Sequence, residues 1–252
     1  MTWFSVQTLQ ELCIRFLAYN HIRYEKDFGI IPESMKNRLL SLILKRRYLQ
    51  TESVLKLMVS TIRKIDLSSI SLDERIFKKL SLCKYLTFVN LNNDRCPRYD
   101  VTDEGLITMT SGCSHLRNIQ LRNCVLITDD AILYISKRCA QLENLNLYNC
   151  IQISDSSLES LSEYATNLIG INLVKTQISD LGIKTLAESS CANKLKEIQI
   201  DSCKGVTNKS IELLSTSCLK LHLFTFSNCY NISANCTSTC KFSADVMFFT
   251  IQ

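Results

Sequence analysis

A six-residue pattern of apolar side chains recurs seven times between residues 62 and 226 of this chain. Each copy reads apolar-x-x-apolar-x-apolar, and successive copies begin between 24 and 30 residues apart. The copies begin at Ile62, Leu86, Leu116, Leu142, Leu168, Leu195 and Leu221. A near-constant period over this length is typical of a solenoid, because a single repeat cannot bury its own apolar face and must stack on its neighbours.

The later repeats continue the pattern with a cysteine three residues after the last apolar position, which gives L-x-x-L-x-L-x-x-[NC], the pattern of leucine-rich repeats. These cysteines are Cys124, Cys150, Cys203 and Cys229, and Thr176 takes the place in one repeat. The L-x-L part predicts a short strand with both apolar side chains inward. We therefore predict an α/β fold: a right-handed leucine-rich repeat solenoid with six or seven parallel strands on its concave side. Residues 119–121, 145–147 and 171–173 are expected to be neighbouring strands.

A hydroxyl residue followed by Asp or Asn opens the second half of five repeats. These pairs are Thr102-Asp103, Thr128-Asp129, Ser154-Asp155, Ser179-Asp180 and Thr207-Asn208. Thr and Ser are favoured at helix N-caps, and an acidic residue suits the positive end of a helix. Each repeat is therefore predicted to carry a helix on its convex side, with pairs such as Leu158 and Leu161 buried beneath it.

Thirteen cysteines in a chain of this size need an interpretation. Most stand in register with the repeat, and a second set (Cys83, Cys113, Cys139 and Cys218) precedes the next repeat by three residues. No Cys-x-x-Cys occurs, so no metal site is predicted. The N-terminus shows no signal peptide pattern. We therefore expect reduced, buried, structural thiols in a protein of the cytoplasm, the nucleus or both.

Several functional classes have no support in the sequence. The three histidines are scattered, no glycine-rich phosphate loop occurs, and no apolar run is long enough for a membrane span. The positive charge is concentrated in residues 1–64, and the repeats are close to neutral. We expect no catalytic residue, no cofactor, no small-molecule substrate, and no nucleic-acid or membrane partner. Binding of other proteins is the remaining prediction.

The segment before the repeats carries a motif of its own. Residues 8–17 resemble the elongin-binding box, [APST]-L-x-x-x-C-x-x-x-[AILV], and Thr8, Leu9, Cys13 and Leu17 fill its defined positions. Spacings of four place Leu9, Cys13 and Leu17 on one face of a helix. The resemblance implies that Leu9 enters an apolar pocket of elongin C, in an elongin B–C complex, with Cys13 packed beside it.

A second motif follows at Ile31-Pro32. It resembles the cullin-2 box, apolar-Pro-x-x-apolar-x-x-x-apolar, matched by Ile31, Pro32, Met35 and Leu39. Both boxes in this order before leucine-rich repeats are similar to the zyg-type substrate receptors of cullin-2 ligases. Residues 31–33 also resemble the opening of an F-box, which implies a Skp-type adaptor instead. The alternative is that these helices only cap the first repeat.

Residues 8–233 together resemble the family of the antagonist of mitotic exit network protein 1. The Leu-Cys helix, the Pro32 segment with Lys36-Asn-Arg-Leu-Leu40, and the 26-residue cysteine repeats carry this resemblance. That family is related to leucine-rich F-box proteins, so it implies a substrate receptor in ubiquitin-dependent protein degradation. We divide the chain into a helical segment (1–60), the repeats (61–233) and a divergent tail (234–252), which is expected to be less ordered, with Phe248-Phe249 as a plug.

The substrate is expected on the concave surface, whose side chains come from the x positions around L-x-L. One column is mostly Asn and Gln, which are suited either to binding or to a purely structural ladder. The next column is heterogeneous and includes two residue types that often anchor interfaces. Candidate substrate-binding residues are Arg122, Asn146, Tyr148 and Asp201. The sequence leaves open whether the chain is a ligase receptor or a free-standing binding or inhibitor protein.

Overall fold

A computed structural model gives the structure of residues 8–45, 50–233, 236, 240 and 246–249. Its centre is a parallel sheet in which eight described strands follow one another in chain order. They are β1 Lys64–Asp66, β2 Phe88–Asn90, β3 Asn118–Gln120, β4 Asn144–Asn146, β5 Gly170–Asn172, β6 Glu197–Gln199, β7 Leu223–Thr225 and β8 Met247–Phe249. The strands β3, β4 and β5 pair as neighbours and begin one residue before the predicted segments 119–121, 145–147 and 171–173, so the solenoid prediction is confirmed. The described strands number eight rather than the predicted six or seven, because Met247–Phe249 adds one at the end of the sheet.

Each strand is three residues long. In β1 to β7 the central side chain points inward, and the flanking side chains point outward. In β3 and β4 the central Ile119 and Leu145 are buried, while their neighbours are half-buried. The register stacks each central residue on its counterpart, for instance Ile119 on Leu145 and Leu145 on Ile171. The core is therefore a continuous row of apolar layers, one per repeat.

The predicted helices form between the strands. They are α5 Glu74–Leu80, α6 Asp103–Gly112, α7 Asp129–Arg138, α8 Asp155–Tyr164, α9 Asp180–Ala187 and α10 Asn208–Ser217, with a 3-10 helix at Ala192–Lys194. The helices α6 to α10 each begin directly after the predicted Thr or Ser N-cap, whose hydroxyl accepts a helical N–H. Leu158 and Leu161 are fully buried under α8, as predicted.

The Asp that follows four of these five N-caps has a partner that the sequence did not predict. Its carboxylate binds the N-cap of the next repeat: Asp103 accepts from the Thr128 N–H at 2.8 Å and from its hydroxyl at 2.6 Å. The same pair of bonds joins Asp180 to Thr207. We call this contact the cap clamp. It ties neighbouring repeats together by polar bonds beside the apolar core.

The strand-end cysteines are buried as predicted, between 0% and 7% exposed. Each thiol donates to a carbonyl of the preceding repeat, as Cys150 Sγ does to Leu121 O at 3.1 Å and Cys203 Sγ to Leu173 O at 3.1 Å. Burial raises the pKa of Cys124 to about 12 and of Cys229 to about 11. A thiol in such a site is a weak nucleophile, because little thiolate forms at neutral pH.

Arg98 takes the place of this cysteine in the second repeat. It pairs in register with Cys124, is only 4% exposed, and its Nη1 donates to Leu67 O of the preceding repeat at 3.2 Å. Its guanidinium also donates to Leu91 O and Ile70 O and forms an ion pair with Asp100 at 2.6 Å. The second repeat, which runs from Leu86 to the next copy at Leu116, thus accommodates one long buried side chain.

Residues with positive φ stand one position before the strand-end cysteine or threonine. They are Asn123, Asn149, Lys175, Ser202 and Asn228, all with φ between 57° and 64°. This left-handed turn lets the chain leave the sheet, and three of the five are Asn, which tolerates it well. The turn was not predicted from the sequence, although the Asn-Cys dipeptide in three repeats is its signal.

Four helices precede the repeats: α1 Leu9–Tyr19, α2 His21–Tyr24, α3 Glu33–Leu44 and α4 Thr51–Leu57, with a 3-10 helix at Glu25–Ile30. They share one apolar core with the first repeat, to which Ile14, Phe28 and Ile43 contribute buried side chains. The segment therefore caps the open end of the solenoid. The cap and the repeats contain no described helix long and apolar enough to cross a membrane.

Most of the tail (234–252) lies outside the described residues, and so does the prediction about its order. Within it, Met247–Phe249 continues the sheet as β8 beside β7. The prediction that Phe248-Phe249 plugs the end of the core concerns side chains outside the described set, so it stays a prediction. The Met247 side chain is 58% exposed.

Candidate protein-binding surfaces

The outer side of α1 is apolar and exposed. Leu9, Leu12 and Phe16 are 77%, 50% and 56% exposed, and Cys13 lies among them. The inner side of the same helix consists of Ile14 and Ala18, which are buried at 4% and 1%. Thus α1 carries two apolar faces, and only one of them is needed to cap the solenoid.

The predicted elongin-binding residues lie on or beside this outer side. Thr8 is the N-cap of α1 and accepts from the Glu11 N–H at 3.3 Å. Leu9 and Cys13 are exposed, whereas Leu17 is half-buried and packs against the core. Glu11 bonds Arg38 of α3 at 3.0 Å, and that bond lowers the pKa of the Glu11 carboxyl. This ion pair joins α1 to α3 at the surface, beside the buried Ile14 and Ala18.

The predicted cullin-binding residues differ in their exposure to solvent. Pro32 is exposed at the start of α3, and Ile31 and Met35 are half-buried against the core. Leu39 is 0% exposed, so it does not face solvent or a partner as the sequence analysis expected. Leu39 follows Met35 by four residues, so the two share one side of α3. At Leu39 that side packs against the solenoid.

The Asn and Gln column on the sheet face is occupied by internal hydrogen bonds. Asn146 donates through Nδ2 to Gln120 Oε1 at 3.0 Å, and its Oδ1 accepts from the Tyr148 N–H at 3.0 Å. Asn172 repeats the arrangement with Val174 N–H at 3.1 Å. Of the two meanings left open for this column, the structural ladder accounts for the contacts of Asn146.

Asp201 is likewise engaged within the solenoid. Its Oδ1 accepts from the Ser227 N–H at 2.7 Å, and its Oδ2 accepts from the Thr225 hydroxyl. Asn92 does the same for the Arg122 N–H at 2.7 Å. A partner that used Asp201 would therefore compete with a bond between two repeats.

Arg122 and Tyr148 form the most interface-like pair on the sheet face. The Arg122 guanidinium carbon lies 4.1 Å from the centre of the Tyr148 ring, and Lys175 Nζ lies 5.7 Å from it. Asp94 reaches Arg122 at 3.7 Å from the inserted loop of the second repeat. Lys175 and Asp94 were not among the residues predicted from the sequence to bind a partner. An aromatic ring held by two cations offers a partner a rigid, partly desolvated contact.

The side chains of the described residues do not group into a metal site: no three His, Cys, Asp or Glu residues converge in those parts of the chain. The exposed groups of the surfaces above are apolar side chains on α1 and an Arg122–Tyr148 cation–π pair on the sheet. Two such surfaces stand apart, one on α1 and one on the sheet.

Comparison with known proteins agrees with this architecture. No family model matches the chain. Among solved structures, a chain of the Rad7 and Elc1 complex in yeast aligns at 13% identity over 97% of this chain and 98% of that one, with a TM-score of 0.47. Internalin C2 from Listeria monocytogenes aligns at 13% identity over 84% of this chain and 92% of its own, with a TM-score of 0.55. The likeness to internalin C2 concerns the fold alone, and it supports the leucine-rich repeat solenoid.

Proposed function

We propose that the chain is a protein-interaction scaffold that serves as a substrate receptor of a cullin–RING ubiquitin ligase. In this proposal α1 binds an elongin B–C adaptor, and the sheet face around Arg122 and Tyr148 holds the protein to be degraded. The chain itself supplies binding surfaces and no catalytic group. The proposed place of action is the cytoplasm or the nucleus.

The exposed apolar stripe of α1 carries this proposal. Leu9, Leu12, Cys13 and Phe16 follow the spacing i, i+3, i+4, i+7, by which an amphipathic helix enters an apolar groove of a partner. A helix that only capped the solenoid would need no large side chains on its outer side. The stripe shares Leu9 and Cys13 with the residues that resemble the elongin-binding box, and this overlap favours an elongin-type adaptor.

The cullin contact is proposed in a reduced form. Exposed Pro32 and the accessible parts of Ile31 and Met35 form a patch at the start of α3, whereas Leu39 is buried and is left out of the proposed contact. Cullin-2 is the expected cullin because of the motif that these residues resemble, and a Skp-type adaptor is the alternative. The resemblance to the antagonist of mitotic exit network protein 1 family favours a substrate connected with the cell cycle.

The test is binding of the purified full chain to purified elongin B–C, with and without cullin-2. Leu9→Ala removes a side chain whose burial in a partner pocket contributes roughly 1.5–3 kcal/mol, so the dissociation constant should rise about tenfold or more. Leu219→Ala is the matched control, because Leu219 is exposed to a similar extent (68%) at the far end of the repeats. Both variants should keep the melting temperature of the wild type.

Absence of a complex at micromolar concentrations would contradict the adaptor proposal. The chain would then be a free-standing binding or inhibitor protein, whose partner meets the sheet face. Equal loss of binding in the Leu9 and Leu219 variants would show that the contact is not specific to α1. A lowered melting temperature in Leu9→Ala would assign Leu9 to the cap instead.

A further inference from the structure

A groove of about 750 Å³ lies between α3 and β1 at the cap end of the sheet. Its floor includes Leu40, Leu44 and Ile62, and Phe88 of β2 stands at its side. β1 is the first strand of the sheet, so one of its edges has no neighbouring strand in the described parts of the chain. The groove runs along this edge.

The backbone of β1 offers hydrogen-bonding groups to the groove. Towards β2, Arg63 O accepts from the Phe88 N–H at 3.2 Å, and the Leu67 N–H donates to Asn90 O at 2.8 Å. Because bonding direction alternates along a strand, the N–H and C=O groups of Lys64 and Asp66 point the other way, to the open edge. Such an edge is a template for one more strand.

The side chains at this edge specify the added strand further. Asn37 lines the groove, and its buried Oδ1 has no hydrogen-bond partner among the described residues. Lys45, Arg63 and Lys64 lie at the groove with a single acidic residue, Asp66, so its surroundings are positive. An acidic side chain opposite Arg63 would repeat a pair already present in the array, where Arg117, at the equivalent position, bonds Glu143 of the next repeat at 3.1 Å.

We propose that this groove binds an extended peptide of another protein as an additional strand beside β1. The peptide has the form acidic–x–apolar–x–apolar: its apolar side chains cover Leu40 and Leu44, and its acidic side chain meets Arg63. Its backbone bonds Lys64 and Asp66, which is recognition by β-strand addition. The site is separate from the outer side of α1, and the proposal does not depend on adaptor binding.

The probe is the peptide acetyl-Leu-Glu-Asn-Leu-Asn-Leu-amide, which reproduces residues 142–147 and therefore the chain's own strand pattern. Titration of the full chain, followed by two-dimensional NMR, should shift the amide signals of Lys64 and Asp66 in a saturable manner. The same peptide with Lys in place of Glu should bind several times more weakly. Saturation below about 1 mM is expected for a short peptide with one apolar anchor region.

Two variants test the geometry. Lys64→Pro removes one edge N–H while β1 keeps its bonds to β2, and proline is tolerated on edge strands; Lys64→Thr also loses the charge but keeps the N–H. Peptide binding should be lost in the first and retained in the second. Ser41→Trp places a large ring in the groove from an exposed position of α3 and should also abolish binding, which keeps the test decisive if the proline variant unfolds.

The proposal is overturned by absence of saturable binding, by binding that shifts signals elsewhere, or by equal affinity of wild type and Ser41→Trp. Because the titration contains no adaptor, these outcomes leave the elongin test unaffected. Likewise, failure of elongin binding would not alter the expected shifts at Lys64 and Asp66.

Discussion

Asp129 binds both polar groups of Ser154, a residue of the next repeat. Its carboxylate accepts from the Ser154 N–H at 2.9 Å and from the Ser154 hydroxyl at 2.5 Å. Ser154 in turn is the N-cap of α8, and its oxygen accepts from the Ser156 N–H. One carboxylate therefore positions the first turn of the following helix.

Asp129→Ala should lower the free energy of unfolding by about 1–3 kcal/mol, because it leaves the half-buried N–H of Ser154 without its partner. Asp129→Asn is the matched control, since Asn208 already performs this role towards Ser233 with bonds of 2.8 and 3.0 Å. Chemical denaturation measures both. Equal losses in the two variants would show that charge, and not hydrogen bonding, holds the clamp.

Protonation of Asp180 at acid pH should lower the stability of the folded protein. Burial by itself would raise its pKa, but hydrogen bonds from Ser210 and Thr207 outweigh burial and hold the pKa below the ordinary value of 3.8. A lowered folded-state pKa means stability that is present above the unfolded value and lost as pH falls through the folded one. As the pH is lowered below about 4, the denaturant concentration at the unfolding midpoint of the wild type should therefore decrease. The decrease should be smaller for Asp180→Asn over the same pH range.

Arg98→Ala should be among the most destabilising single substitutions in the chain. It removes a buried guanidinium, leaves Asp100 without its ion pair and leaves several buried carbonyls without donors, for a loss of about 3–5 kcal/mol. Arg95→Ala, in the exposed part of the same loop, should change stability by less than about 0.5 kcal/mol. Thermal unfolding distinguishes the two, and a small effect of Arg98→Ala would mean that water replaces the lost donors.

The two exposed thiols, Cys13 and Cys96, should react with an alkylating reagent much faster than the strand-end set. Cys150 is 0% exposed and burial raises its pKa well above 9.0, so it should react only when the repeats open. Mass spectrometry after brief labelling of the native protein measures this difference. Rapid modification of Cys150 would contradict the packing described here.

Asn146→Ala should act mainly on stability, and Tyr148→Ala mainly on partner binding. The first removes the ladder bond to Gln120 and the acceptor for the Tyr148 N–H, so it should lower stability by about 1–3 kcal/mol. The second removes a half-exposed ring and a cation–π pair with Arg122 worth about 0.5–1 kcal/mol, and should mainly weaken partner binding. Melting curves and substrate capture by the two variants provide the measurement.

Periodicity alone predicted most of the fold. The strand around Leu145, the cap at Ser154 and the buried Cys150 each follow from a short local rule that recurs every repeat. Contacts between repeats were harder to predict, because they join residues 24 to 30 positions apart whose roles differ from their local appearance. Asp129 looks like a dipole partner of its own helix, and it also anchors the next one.

The candidate sites show the same division. Helical spacing correctly grouped Leu9 and Cys13 on one side of α1, but a helix with two apolar faces does not reveal which of them is inside. Leu39 matched its motif and lies in the core. Arg98 could not be assigned to the cysteine column because the wider spacing of its repeat hides the register.

The cap clamp depends on very little of the intervening chain. Its two partners are 24, 25 or 27 residues apart in different repeats, and the contact needs only a carboxylate or amide side chain and a hydroxyl-bearing cap. A duplicated segment that runs from one clamp aspartate to the next therefore contains the residues needed for a cap clamp with each neighbouring repeat. Such an array can gain or lose whole units during evolution, while residues such as Arg122 and Tyr148 diverge to recognise new proteins without disturbing how the units are joined.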